Sequence, residues 1–147
     1  MIGILNNEAL ALISMQTVLA ITPRINIANS YLISPLLLDK KIRGYLKRKS
    51  TKVLSAQDIV LSGNERFIGF DEKFTDSLIV STNAIAMGLE LGFFTLEEGE
   101  LVEKVPASFS SGELGTKVND ISRASENVAR LLSESPASLY RLLRIEL

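Results

Sequence analysis

An apolar segment close to the N-terminus most constrains how this chain can fold. Residues 9–21 are apolar at most positions, and Asn6 or Asn7 can cap a helix that Pro23 stops near residue 21. The apolar side chains cover most of the circumference of such a helix, which is typical of a helix enclosed by other elements. We therefore predict a central, buried helix around which the rest of the chain packs.

The composition of this segment disfavours a membrane-spanning or secretory role. It falls short of the roughly 18 uninterrupted apolar residues that indicate a transmembrane helix, because Ser14, Gln16 and Thr17 break it. A secretory signal normally carries basic residues before its apolar core, whereas the first basic residue here is Arg24. We expect a cytoplasmic protein with no membrane association.

The length and composition narrow the possible chemistry. The chain has 147 residues, which fits one domain of ordinary size over residues 1–147. It contains no cysteine and no histidine, which excludes disulfides, thiolate metal sites and the commonest general base. Acidic residues remain, but those near positions 71 and 98 are more simply solvated charges at a helix start and a turn. We expect no enzymatic activity, no cofactor, no metal and no small-molecule substrate.

Hydrophobic spacing predicts a mostly helical chain with a small hairpin. Residues 24–29 alternate in polarity and fit a short strand or an extended connector. Further helices are predicted from Ser34-Pro35 into a basic end, over residues 56–61, 72–91 and 114–133, and after Ser135-Pro136. We predict a mainly α fold with a small β-hairpin, an α+β class, as a single winged-helix-like domain.

The helix predicted over residues 72–91 leads directly into that hairpin. Apolar residues recur along it every three or four positions, namely Phe74, Leu78, Ile85, Leu89 and Phe93. Ala84, Gly88 and Gly92 lie four apart on one side, where another backbone could approach closely, and Gly92 is also a suitable helix terminator. Two short runs then flank a polar turn containing Gly99, which is typical of a hairpin.

A run of positive charge is the most prominent feature of the remaining sequence. Seven of the 16 basic residues lie between positions 40 and 52: Lys40, Lys41, Arg43, Lys47, Arg48, Lys49 and Lys52. Such a run can contact a nucleic-acid backbone, or it can be the solvated C-terminal end of a helix. Tyr45 is the only aromatic residue inside it, so base stacking has little support and any DNA contact would be to the backbone.

Two adjacent aromatic residues are candidate anchors for a partner protein. Phe93 and Phe94 stand at the exit of the helix predicted over residues 72–91. Aromatic side chains dominate the energetics of many interfaces, so either residue can anchor a partner. Both residues can instead belong to the core, which is the interpretation that the sequence favours.

Several segments, taken in order, resemble the middle component of bacterial three-component ABC systems. These segments are Asn-Asn-Glu-Ala at 6–9, Ser-Pro-Leu-Leu-Leu-Asp-Lys-Lys-Ile-Arg at 34–43, Ala-Met-Gly-Leu-Glu-Leu-Gly-Phe-Phe-Thr-Leu at 86–96, Glu-Glu-Gly-Glu-Leu-Val at 97–102, Ala-Arg-Leu-Leu at 129–132 and Ser-Leu-Tyr-Arg-Leu-Leu-Arg-Ile at 138–145. The resemblance covers nearly the whole chain and consists of apolar positions and turn residues, with no catalytic signature.

The resemblance implies an accessory subunit in defence against phage or plasmids. Such components accompany an SMC-like or other ABC ATPase and an effector that is often a nuclease, and a Lamassu system is the first expectation. By analogy, the ATPase senses foreign DNA and the middle component ties the ATPase head region to the effector. Contact with DNA is then expected through the complex.

A free-standing winged-helix regulator that binds DNA is the alternative. It would need a basic recognition helix just before the hairpin. Residues 72–92 carry only one basic residue, Lys73, together with Glu72, Asp76 and Glu90. This composition counts against the regulator.

Overall fold

Helices make up most of the computed structural model, which describes residues 6–48, 51, 55–106 and 115–147. The helices are α1 (Asn7–Ile21), α2 (Ile27–Ser30), α3 (Ile33–Leu37), α4 (Lys40–Leu46), α5 (Ala56–Ser62), α6 (Asn64–Phe67), α7 (Phe70–Leu91), α8 (Thr116–Leu131) and α9 (Pro136–Leu142). The strands are β1 (Arg24–Asn26), β2 (Phe94–Glu97) and β3 (Glu100–Glu103). The predicted fold class, mainly α with a small β-hairpin, is confirmed.

Helix α1 is the central element, as predicted. The Asn6 side chain caps it by accepting a hydrogen bond from the Ala9 N–H at 2.7 Å. Nine of its fifteen residues are buried, and it packs against α3, α7 and α8. The buried Ser14 donates its hydroxyl proton to the Leu10 carbonyl at 2.7 Å, so this polar residue needs no outside partner.

Two short helices replace the single helix predicted from Ser34-Pro35. Helix α3 begins at Ile33, so Ser34 lies inside the helix and does not cap it. Asp39 has an extended backbone conformation, which separates α3 from α4. Its carboxylate accepts a hydrogen bond from the Ile42 N–H at 2.9 Å. Because this side chain caps a new N-terminus, the basic segment forms the separate helix α4.

The hairpin strands β2 and β3 are joined by β1 in a three-stranded antiparallel sheet with the order β1-β3-β2. Glu98 and Gly99 both have positive φ, 52° and 79°, which is the backbone of a two-residue turn that matches strand twist. β1 pairs with β3, with Ile25 opposite Leu101, so the alternating segment after α1 begins as a strand and not as a connector. The hairpin is confirmed, and the winged-helix likeness stays a prediction.

Helix α7 is connected tightly to the hairpin at its C-terminal end. Gly92, with φ 77°, ends the helix, and the Phe93 N–H donates to the Gly88 carbonyl at 2.9 Å. The chain therefore turns back and the fully buried Phe94 ring lies against Gly88. The close approach predicted at Gly88 is made by this ring and not by another backbone.

The contact between Gly88 and Phe94 yields a stability prediction. A Cβ at position 88 would lie 2.0 Å from the Phe94 Cζ, so Gly88→Ala should lower the free energy of unfolding by about 1–3 kcal/mol through overpacking. Urea denaturation measures the change.

Gly44→Ala is the matched control, because Gly44 lies inside α4 and a Cβ there meets nothing within 4 Å. This substitution should stabilise the protein by up to about 1 kcal/mol through helix propensity. Equal effects of the two substitutions would contradict the packing described at Gly88.

Candidate protein-interaction site

The structure divides the predicted basic run into residues with different environments. Lys49 and Lys52 lie outside the described residues. Arg43 is only 6% exposed, and its guanidinium donates to the Leu37 carbonyl at 3.0 Å. Arg43 is therefore a structural residue that connects α4 to α3, and its inclusion in an exposed patch does not fit the structure.

The other described basic residues of this run lie at the surface. The Lys47 ammonium is 3.1 Å from a carboxylate oxygen of Asp120 on α8, so part of its charge is compensated. Lys40, Lys41 and Arg48 are exposed. Contact between these three cations and a DNA backbone stays a prediction.

The two candidate aromatic anchors are not equivalent. Phe94 is completely buried between the hairpin and α7, so it belongs to the core. Phe93 is partly buried and packs against that core. An anchoring role for the pair does not fit the burial of Phe94 and stays a prediction for Phe93.

The structure forms an apolar groove that the sequence did not indicate. The groove has a volume of about 440 Å³ and lies between α2, α7 and α9. We call it the α2–α9 groove. The residues that line it are Ala28, Tyr31, Phe74, Leu78, Pro136, Ala137, Tyr140 and Leu147. Every one of these side chains is apolar or aromatic, so covering the groove with another apolar surface would be favourable in free energy.

Two tyrosines shape the α2–α9 groove. The Tyr140 ring packs edge-to-face on Phe74 with a centroid distance of 5.4 Å, and its hydroxyl donates to the Ala28 carbonyl. The Tyr31 hydroxyl is 2.9 Å from the Thr82 hydroxyl. Both hydroxyls therefore already have hydrogen-bond partners within the protein. A partner molecule can cover the apolar faces of the two rings without leaving these hydroxyls unpaired.

Other site types are not evident in the part of the chain that the structure describes. No three or more carboxylates gather there in a way that could hold a metal ion. None of the described helices combines the length and hydropathy needed to cross a bilayer.

The described residues form a mostly helical fold with a three-stranded sheet and an apolar groove on its surface. The family model of the ABC-three component (ABC-3C) system Middle Component 3 matches residues 7–147, so the chain belongs to this family. No curated protein and no solved structure matches the chain. Membership makes this chain one component of a three-component ABC system, and at this level the resemblance inferred from the sequence is confirmed.

The environment of Tyr140 yields a pH prediction. Burial, with Tyr31 nearby, raises the pKa of the Tyr140 hydroxyl to about 12, whereas in the unfolded chain the hydroxyl ionises near its ordinary pKa of about 10. Between these two values the unfolded chain loses the proton first. The free energy of unfolding should therefore fall as pH rises from about 10 to about 12, by no more than about 2 kcal/mol for this half-buried group.

Tyr140→Phe has no proton to lose at this position and serves as the control. Urea denaturation at several alkaline pH values should give a flatter pH dependence for this variant than for the wild type. Identical slopes would show that the hydroxyl is not held neutral by its surroundings.

Proposed function

We propose that this chain is a non-catalytic adaptor that ties an SMC-like ABC ATPase to an effector, such as a nuclease, in a defence system against phage or plasmids. A Lamassu-type system is the first candidate. Family membership places the chain in a three-component ABC system. The α2–α9 groove is the observation that best supports an adaptor role within it. The proposal leaves sensing and chemistry to the other two components.

The α2–α9 groove has the properties of a protein-binding surface. Tyr31 and Tyr140 present rigid aromatic rings, which dominate the energetics of many interfaces at little entropic cost. The groove is open at the surface, and its C-terminal border is formed by Leu147, which is 99% exposed. A partner side chain inserted there would bury apolar area on both molecules.

The available polar groups support a non-catalytic role. The chain has no histidine and no cysteine, so a base or nucleophile would have to come from other side chains. The exposed carboxylate of Glu97 has its pKa lowered by a hydrogen bond from the Thr95 hydroxyl and by Lys104. A carboxyl group that acts as a general acid at neutral pH needs a raised pKa, so Glu97 does not have the properties of such an acid.

The charges on α7 disfavour the alternative of a free-standing DNA-binding regulator. This helix precedes the hairpin, the position that a recognition helix would occupy. Its single basic residue, Lys73, has its ammonium 3.0 Å from the Asp39 carboxylate, while Glu72, Asp76 and Glu90 are exposed. Such a surface repels phosphate groups.

We further propose that any DNA contact by the assembled complex uses Lys40, Lys41 and Arg48. Replacing all three by glutamate should weaken DNA binding of the complex at low salt and reduce the slope of log affinity against log salt by about 2–3. Titrations at several salt concentrations measure this slope. An unchanged slope would show that these three cations face solvent and do not contact the DNA backbone.

Co-expression with the neighbouring components tests the adaptor role. The tagged wild-type chain should co-purify with the ATPase and the effector in a fixed stoichiometry. Ala137→Arg places a long cation in the apolar groove and should reduce recovery of a partner by at least about tenfold, roughly 1.4 kcal/mol.

Ala20→Arg is the matched control, because Ala20 is an exposed alanine on α1 outside the groove. It should leave recovery unchanged. A wild-type chain that is recovered alone, stable and monodisperse, contradicts the adaptor role. Full recovery with Ala137→Arg shows that partners bind elsewhere on the chain.

A further inference from the structure

Helix α7 exposes apolar side chains on the face that points away from the core. Ile79 is 74% exposed, and Leu78 and Leu89 are each 37% exposed, although the helix buries its opposite side against α1 and α3. We call the exposed set Leu78, Ile79, Thr82, Ala86 and Leu89 the α7 band. Of the apolar repeat that predicts this helix, Phe74 and Ile85 are buried, whereas Leu78 and Leu89 are exposed.

The α7 band has the dimensions of a helix-binding surface. At about 100° per residue its members fall within a sector of about 100°, and at about 1.5 Å per residue they extend over about 16 Å. This length corresponds to about three turns of a partner helix. Leu78 also lines the α2–α9 groove, so the two apolar surfaces are continuous.

One edge of the α7 band is acidic. Glu72, Asp76 and Glu90 are exposed and project to the same side of the band at the helical repeat. None of them forms a salt bridge with a lysine or arginine among residues 6–48, 51, 55–106 and 115–147. The surface therefore combines an apolar strip with exposed negative charge along one side.

We propose that the α7 band is the docking site for an amphipathic helix of another component of the ABC system. The partner helix carries an apolar ridge of about three turns and lysine or arginine residues along the side that meets Glu72, Asp76 and Glu90. The inference rests on the proposed adaptor function and specifies the surface and the chemistry of the partner segment.

The charge pattern favours this occupant over other occupants of an apolar surface. A basic edge on the partner would complement the acidic edge and set the orientation of the helix. Anionic lipid and DNA would be repelled by the same carboxylates. A second copy of α7 packed antiparallel would place its acidic edge against the first.

Site-directed crosslinking tests the identity of the occupant. A photoreactive phenylalanine derivative at position 79 of the assembled complex should crosslink to a helical segment of the ATPase or the effector that contains lysine or arginine. The same probe at Ile68, an exposed isoleucine outside the band with 70% exposure, should not give that product. Crosslinks to a second copy, to DNA, or to a segment without basic residues would overturn the proposal.

Affinity measurements test the apolar contribution and the electrostatic contribution to binding separately. Ile79→Asp should weaken binding of the isolated partner component at least about tenfold, whereas Ile68→Asp introduces the same change at similar exposure and should have little effect. Asp76→Lys combined with Glu90→Lys should weaken binding at low salt, and the loss should shrink at high salt because exposed charges are screened. Glu65→Lys combined with Glu98→Lys is the control with the same change in net charge.

The outcomes separate this inference from the proposed function. A wild-type chain that binds its partner components while Ile79→Asp binds them equally well overturns the docking site and leaves the adaptor role standing. A wild-type chain that binds no component removes both. Unchanged thermal unfolding of Ile79→Asp, expected because Ile79 makes little contact with the core, excludes misfolding as the cause of a loss.

Discussion

The enclosure of α1 is the constraint on which the rest of the structure depends. This helix is apolar around nearly its whole circumference, and the hydroxyls of Ser14 and Thr17 donate to carbonyls of α1 itself at 2.7 Å each. It can therefore be surrounded without leaving these hydroxyls unpaired. Helices α7 and α8 cover it from two sides, which fixes the inward face of α7 and leaves the α7 band facing solvent.

Two buried asparagines hold the C-terminal half in place around that centre. The Asn127 amide donates to the Leu46 carbonyl at 2.8 Å and to the Thr51 carbonyl at 3.1 Å, which connects α8 to the end of α4. The Asn29 amide donates to the carbonyls of Leu132 and Glu134 beyond the end of α8. The Leu132 carbonyl is at the C-cap of α8, where a helix end leaves carbonyls without partners, and the Glu134 carbonyl lies in the connection to α9. By pairing with them, Asn29 sets the path into α9 and with it the walls of the α2–α9 groove.

Long helices were predictable because their periodicity depends on the sequence of one segment alone. α1, α7 and α8 follow from spacing and capping signals, and the hairpin follows from its polar turn. The break between α3 and α4 was not predicted, because Ser34-Pro35 is as good a start signal as Asp39 and tertiary packing decides between them.

The candidate site was less predictable because tertiary packing creates it. Tyr31, Phe74 and Tyr140 are far apart in the sequence and meet only when α9 packs beside α2 and α7. Burial of individual residues was equally hidden. Arg43 lies in a run of exposed cations yet is buried, and Phe94 is buried while its neighbour Phe93 is partly accessible. Charge and aromatic character do not reveal which side of a helix or strand faces the core.

We therefore propose that the chain binds its partners through the outward side of α7 and α9, and not through the basic end of α4. Hydrogen–deuterium exchange of the chain alone and in complex with its partner components tests this claim most directly. We expect slower exchange in peptides covering residues 70–91 and 136–147 when the complex forms, with little change in residues 40–46. Protection confined to residues 40–46, or no protection in either region within a stable complex, would contradict it.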